Sequence, residues 1–134
     1  MRLTKMALIL LALGLFSFVN TPKKDHPGPW IFIGDKSVSW GVDHDVIHTG
    51  NVNDDFRQLK LKVTDGPLKM YDMKVYFDNG EIQDVFIRAL IRQGGESRVI
   101  DLNGGLRHLT KIEFWYETKG FLKGHARMAV WGRK

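Results

Sequence analysis

Cysteine is absent from the 134 residues. No disulfide can brace the fold, no thiol can serve as nucleophile or soft metal ligand, and no lipid can attach through an N-terminal cysteine. Proline is scarce, at positions 22, 27, 29 and 67 only, so long stretches are free to donate every backbone N–H to a ladder. A helical period is missing too: no stretch of helical length repeats its apolar residues every 3.6 positions. The Gly-x-Gly-x-x-Gly fingerprint, the lysine-ending P-loop and the Gly-x-Ser-x-Gly elbow do not occur, which removes the usual sequence grounds for phosphate cradling and serine catalysis. No cofactor is implied. Long apolar runs are lacking after residue 19, so no membrane span is expected once the leader described next is removed.

Arg2 and Lys5 precede an apolar run from Met6 to about Val19, the pattern of a signal peptide. Its 14 residues fall short of the roughly 20 that a helix needs to cross a bilayer core. Export followed by cleavage is expected, to a periplasmic or secreted location. The absence of a small-x-small triplet before Pro22 leaves an uncleaved anchor as the other reading. Losing Arg2 and Lys5 leaves 18 basic against 15 acidic residues and lowers the net charge from +5 to +3. A charge of that size is a solubility feature. Lys60, Lys62 and the C-terminal basic residues would be the footprint of a nucleic-acid binder, but acids are interspersed among them and export counts against it, so no nucleic-acid partner is expected. Residues 20–29 hold three of the four prolines and form a tether, and residues 30–134 form one domain of ordinary globular composition, with 43% hydrophobic residues in the whole chain.

The centre of that domain is a hairpin. Leu68 to Phe77 and Glu81 to Arg88 are rich in Val, Ile, Phe and Tyr, and Asp78-Asn79-Gly80 separates them; Asn-Gly between such runs is a strong turn signal because both residues tolerate positive φ. A two-residue turn at Asn79-Gly80 would pair Val75 with Asp84 and set Val85 and Ile87 opposite Lys74 and Asp72. A three-residue loop with Gly80 in the left-handed conformation instead pairs Tyr71 with Ile87, Met73 with Val85 and Lys74 with Asp84. The second register wins on packing, since it puts Tyr71, Met73, Val75, Phe77, Val85 and Ile87 on one face and a charge pair on the other.

Around the hairpin, Trp30 to Gly34 reads as a strand with both faces covered, and Asp35 to Asn53 as the longest irregular region, with a possible strand at Val46-Ile47. Phe56 to Val63, Leu109 to Glu117 and His125 to Trp131 alternate apolar with polar residues and read as half-buried strands. Asp65-Gly66-Pro67, Gly94-Gly95 and Gly104-Gly105 read as turns, and a single helical turn is allowed at Ala89 to Arg92. About eight strands and no helix of length predict an all-β antiparallel sandwich or jelly roll.

The chain resembles a small exported bacterial family catalogued only as a domain of unknown function. The likeness is carried by Trp30 with Gly34, Asp43-His44-Asp45-Val46-Ile47, Tyr71-Asp72-Met73 followed by Asn79-Gly80, and Gln83-Asp84-Val85. It continues in Gly94-Gly95, Ile100-Asp101-Leu102 with Gly104-Gly105, and Ile112-Glu113-Phe114. The resemblance implies a β-sandwich and an exported location, and no activity. The family more often has Arg where this chain has His44, so a metal site built on His44 is no family property.

Three constellations carry possible chemistry. Asp43, Asp45 and His48 are of the right types to hold a divalent cation for a metal-dependent hydrolase. Their spacing matches no metalloenzyme, and such residues also hold ordinary loops by local hydrogen bonds, which is the preferred reading. The carboxylates of Asp72, Asp84, Glu113 and Glu117 lie on strands, where alternation makes most of them face solvent; glycosidase chemistry would need two to meet in a cleft. Trp40, Tyr76, Phe86 and Trp115 could form an exposed aromatic row that stacks on sugar rings, although aromatic residues more often fill sandwich cores. The resulting expectation is a non-enzymatic exported sandwich, a binding or envelope-associated module whose partner the sequence does not identify, with a metal-dependent hydrolase and a carbohydrate-binding module as the alternatives.

Overall fold

The computed structural model describes residues 26–38, 41–49, 54–118 and 125–134; the leader, residues 20–25 of the tether and Trp40 lie outside them. The described chain is all-β, with strands β1 Ile31–Val38, β2 Val42–His48, β3 Asp55–Phe56, β4 Gln58–Thr64, β5 Leu68–Phe77, β6 Ile82–Ile91, β7 Ile100–Asp101, β8 Arg107–Glu117 and β9 Ala126–Arg133. They form two antiparallel sheets packed face to face. One has the order β1-β9-β4-β7, and the other the order β2-β8-β5-β6 with β3 against β8.

Alternation along each strand decides which side chains enter the core. On β4, Leu59, Leu61 and Val63 are fully buried while Gln58, Lys60 and Lys62 face outward. On β9, Ala126, Met128 and Val130 are buried; on β8, so are Ile112, Phe114 and Tyr116, with Lys111, Glu113 and Trp115 on the reverse. Met70, Met73, Val75 and Phe77 on β5 complete the layer between the sheets. Burying a Leu- or Phe-sized side chain contributes roughly 1.5–3 kcal/mol, so this layer is what holds a fold that has no disulfide.

The hairpin takes the three-residue register: Met73 faces Val85, Lys74 faces Asp84, and Gly80 has φ +87°. One of its expected contacts is overturned. Tyr71 does not pair with Ile87 and is not a core residue, because the ladder slips between Met70 and Asp72 and turns Tyr71 outward, where its hydroxyl donates to Glu117.

Residues 35–38 and 42–48 are also more regular than their composition predicts. β1 continues to Val38, and β2 occupies Val42–His48, paired along its length with β8. Asp and His are poor strand formers on their own, but β8 supplies a partner for every ladder position. β1 is an edge strand rather than one covered on both faces, with Ile33 buried and Phe32 46% exposed. No helical turn forms at residues 89–92, since β6 runs on to Ile91. The turn at residues 65–67 depends on Gly66, whose place would put a Cβ only 2.1 Å from the carbonyl oxygen of His125.

Candidate functional site

Strand register arranges the outer face of the second sheet in rows. His44, Trp115, Asp72 and Phe86, from β2, β8, β5 and β6, stand side by side. The next row is Val46, Glu113, Lys74 and Asp84, and the third is His48, Lys111, Tyr76 and Ile82. Three of the four aromatic residues singled out for sugar stacking, Tyr76, Phe86 and Trp115, thus share one surface.

The regular ladder breaks beside the first row. Relative to β8, Tyr71 is an inserted residue between the pairs Met70–Tyr116 and Asp72–Trp115. Relative to β6, Tyr71 is opposed by two residues, Ile87 and Arg88, between the pairs Met70–Ala89 and Asp72–Phe86. The irregularity therefore crosses three strands in line. It turns Tyr71 and Asp72 to the same side and forces Arg88 to φ +45°, a left-handed conformation that is unfavourable for a residue with a Cβ. Bulges re-aim side chains and gather near functional sites.

What they re-aim here is the floor of a groove of about 340 Å³ lined by Asp72, Met73, Lys74, Asp84, Phe86 and Trp115. This is at the low end for a small-molecule site, about 300–1,000 Å³. Trp115 and Phe86 flank β5 from its two neighbouring strands, roughly 9.5 Å apart by the inter-strand spacing. Phe86 is 56% exposed, and the Arg88 guanidinium lies 4.8 Å from its ring centre. The His44 ring packs on Trp115 at 4.9 Å.

The charges of this face are organised around two carboxylates. Glu113 accepts from the Tyr76 hydroxyl and stands 2.7 Å from His44 Nε2. The tyrosine hydroxyl first, and the histidine second, hold the Glu113 carboxyl below the usual range, while the same carboxylate pushes the Tyr76 phenol up. Asp72 is the other. Its Oδ1 is shielded from solvent and forms an ion pair with Arg88 Nε at 3.6 Å, while the side chain as a whole stays 42% exposed. Beside it, Lys74 Nζ meets Asp84 Oδ1 at 3.3 Å.

The residues considered as metal ligands are placed differently. Asp45 and His48, three apart on β2, stand on opposite faces of the strand. Asp45 accepts from the buried Tyr116 hydroxyl at 2.6 Å and meets Lys36 at 3.6 Å, whereas His48 is exposed. The Asp43 backbone pairs with Tyr116, and its side chain lies outside the described set. Among the described residues, no three His, Asp or Glu side chains converge on a point where a cation could sit.

Two other concavities are lined in part by side chains that already pair with one another. A larger groove of about 920 Å³ at one end of the sandwich includes Arg57, Gln58, Asp101, Arg133 and Lys134. There Gln58 donates to Asp101 at 2.6 Å, Arg133 donates to Gln58 at 2.7 Å, and Lys134 meets Asp54 at 2.8 Å. On the outer face of the first sheet, Lys60 and Arg133 each lie 4.4 Å from the centre of the Trp30 ring, so that ring already carries two cations.

Sequence reasoning grouped Asp72 with Asp84 among the carboxylates and Trp115 with Phe86 among the aromatic residues, and could not bring the two groups together. It missed Arg88 and the His44–Glu113–Tyr76 cluster, and only the alternation of β8 hinted that Glu113 and Trp115 share a face.

The family described as Domain of unknown function (DUF2541) matches residues 6–132. No curated protein matches the chain. A solved structure described as the structural and functional characterization of Pseudomonas aeruginosa AlgX is similar over 83% of this chain, at 13% identity and a TM-score of 0.41. This chain spans 28% of AlgX. The crystal structure of the SPBc2 prophage-derived protein YomS is similar over 88% of this chain and 100% of its own, at 16% identity and a TM-score of 0.39.

Proposed function

The chain belongs to the DUF2541 family, and from that premise, which brings no activity with it, we propose that the protein is a non-enzymatic binding module that takes a glycan on the outer face of its five-stranded sheet. The observation that carries this reading is the groove between Trp115 and Phe86 with Asp72 in its floor. Sugar rings offer apolar C–H faces and a rim of hydroxyls, and they are recognised by exposed aromatic rings beside fixed polar groups. Both are present here on rigid strands. The strained Arg88 adds support, because backbone strain gathers where a ligand completes the site. The metal-dependent alternative has less behind it, since Asp45 and His48 are turned to opposite faces of β2.

Trp115→Ala tests the reading. Retention of the variant and the native protein on immobilised polysaccharides, together with calorimetry on soluble oligosaccharides, should show binding that falls at least tenfold in the variant while the fold persists; a native protein that retains no glycan would end the proposal. The same proposal has the module exported, on the basic start and apolar run of residues 1–19. N-terminal sequencing of protein recovered outside the cytoplasm should then give a first residue between about 18 and 23, and an intact Met1 on cytoplasmic protein would refute it.

A further inference from the structure

We propose that Asn103 is a site of spontaneous deamidation, and that the other Asn-Gly step of the chain, Asn79-Gly80, is protected from the same reaction by its contacts. In an Asn-Gly step the backbone nitrogen of the glycine reaches the asparagine Cγ with little hindrance, because the glycine has no Cβ. The N–Cγ bond forms as the N–H proton passes to solvent, the Cγ–Nδ2 bond breaks, and ammonia leaves with a proton taken from water. Water then opens the cyclic imide at either carbonyl, giving aspartate or isoaspartate. The reaction needs a glycine N–H free to lose its proton and an asparagine side chain free to swing onto it.

The two steps differ on both counts. Asn79 Oδ1 accepts from the Glu81 N–H at 3.0 Å and from Arg107 Nη2 at 3.2 Å, and its Nδ2 donates to the Glu81 side chain. The Gly80 N–H is donated to the Phe77 carbonyl oxygen at 3.1 Å. These bonds must open before the ring can close. Asn103 and Gly104 are both exposed, and among the described residues neither the Asn103 side chain nor the Gly104 N–H has a hydrogen-bond partner. What is held is the peptide between them. Arg107 Nη1 donates to the Asn103 carbonyl oxygen at 2.7 Å, and a Cβ on Gly104 would stand 2.8 Å from the same nitrogen. A cation so close favours the amide anion that makes the attack.

Isoaspartate would insert an extra carbon into the main chain at this turn. The Asn103 N–H donates to Gln83 Oε1 at 2.8 Å, and Gln83 Nε2 donates to the Asp101 carbonyl oxygen at 2.9 Å. The change therefore falls on the link between β6 and β7 and on the wall of the larger groove, which includes Asp101, Leu102 and Gly105. None of these residues lines the groove between Trp115 and Phe86.

Peptide mapping by mass spectrometry of the purified protein held at mildly alkaline pH tests this, with isoaspartate identified by an isoaspartyl methyltransferase. In the native protein, conversion at Asn103 should outpace conversion at Asn79 by about tenfold or more. In the chain unfolded by guanidinium the two should convert at comparable rates, since the contacts that distinguish them are gone. Equal rates in the native protein, faster conversion at Asn79, or no conversion at Asn103 over a period in which the unfolded chain reacts would overturn the proposal.

Discussion

At the scale of single residues, the outer face of the second sheet gives up some stability to hold Arg88 at φ +45°. A non-glycine residue in a left-handed conformation stores about 1–3 kcal/mol. Arg88→Gly should therefore stabilise the protein by roughly 1 kcal/mol, the relief of strain outweighing the extra freedom of the unfolded glycine; thermal or denaturant unfolding reads it, and a clear loss would show that the Arg88 contacts with Phe86 and Asp72 outweigh the backbone. Glu113 gives a pH prediction. Its carboxyl is held low by Tyr76 and then His44, so its folded value lies below its unfolded one. The contribution is complete above the unfolded value, near 4.3, and is lost as pH falls from there through the folded value. Melting temperature should consequently drop more steeply below about pH 4.5 in the native protein than in Glu113→Gln. Parallel curves would mean that these hydrogen bonds do not distinguish the charge states.

At the scale of elements, the central hairpin shows what local sequence can decide. The apolar phase of its two runs and the Asn79-Gly80 signal are enough to choose the loop, because any slip by one residue would turn Val85 and Ile87 to solvent. Gly80 has φ +87° with nothing near the position a Cβ would take, so the penalty for a side chain there is conformational. Gly80→Val should cost about 1–3 kcal/mol, while Lys74→Ala, which breaks an exposed ion pair with Asp84, should cost about 0.2–1 kcal/mol. Chemical denaturation of the two variants gives the comparison, and the reverse order would mean that charge rather than turn geometry holds the register. β2 shows the opposite case. Asp43-His44-Asp45 reads locally as loop, and it becomes a strand because β8 lies alongside to take its backbone hydrogen bonds and because Glu113, Trp115 and Tyr116 receive the side chains of His44 and Asp45.

At the scale of the whole molecule, a sandwich held by burial alone should not depend on metal. EDTA should leave the melting temperature unchanged, and His48→Ala, at an exposed position, should shift stability by no more than about 0.5 kcal/mol. A fall on chelation that a divalent ion reverses would show that bound metal contributes to folding. The sequence by itself determined the fold class, the main strands and the inward face of β4, β8 and β9, because alternation with a period of two is a local property that any half-buried strand must display. It also marked the turns that need glycine. Only the tertiary structure decided the groove, because Trp115, Asp72 and Phe86 belong to three strands whose order and stagger no local pattern encodes. The slip at Tyr71 is of the same kind: Tyr71 falls in phase with the core residues of β5, and it turns outward because β6 and β8 each count the residues opposite it differently. A carboxylate that one strand alone would leave in solvent is thereby set in the floor of the groove, with Arg88 Nε at 3.6 Å.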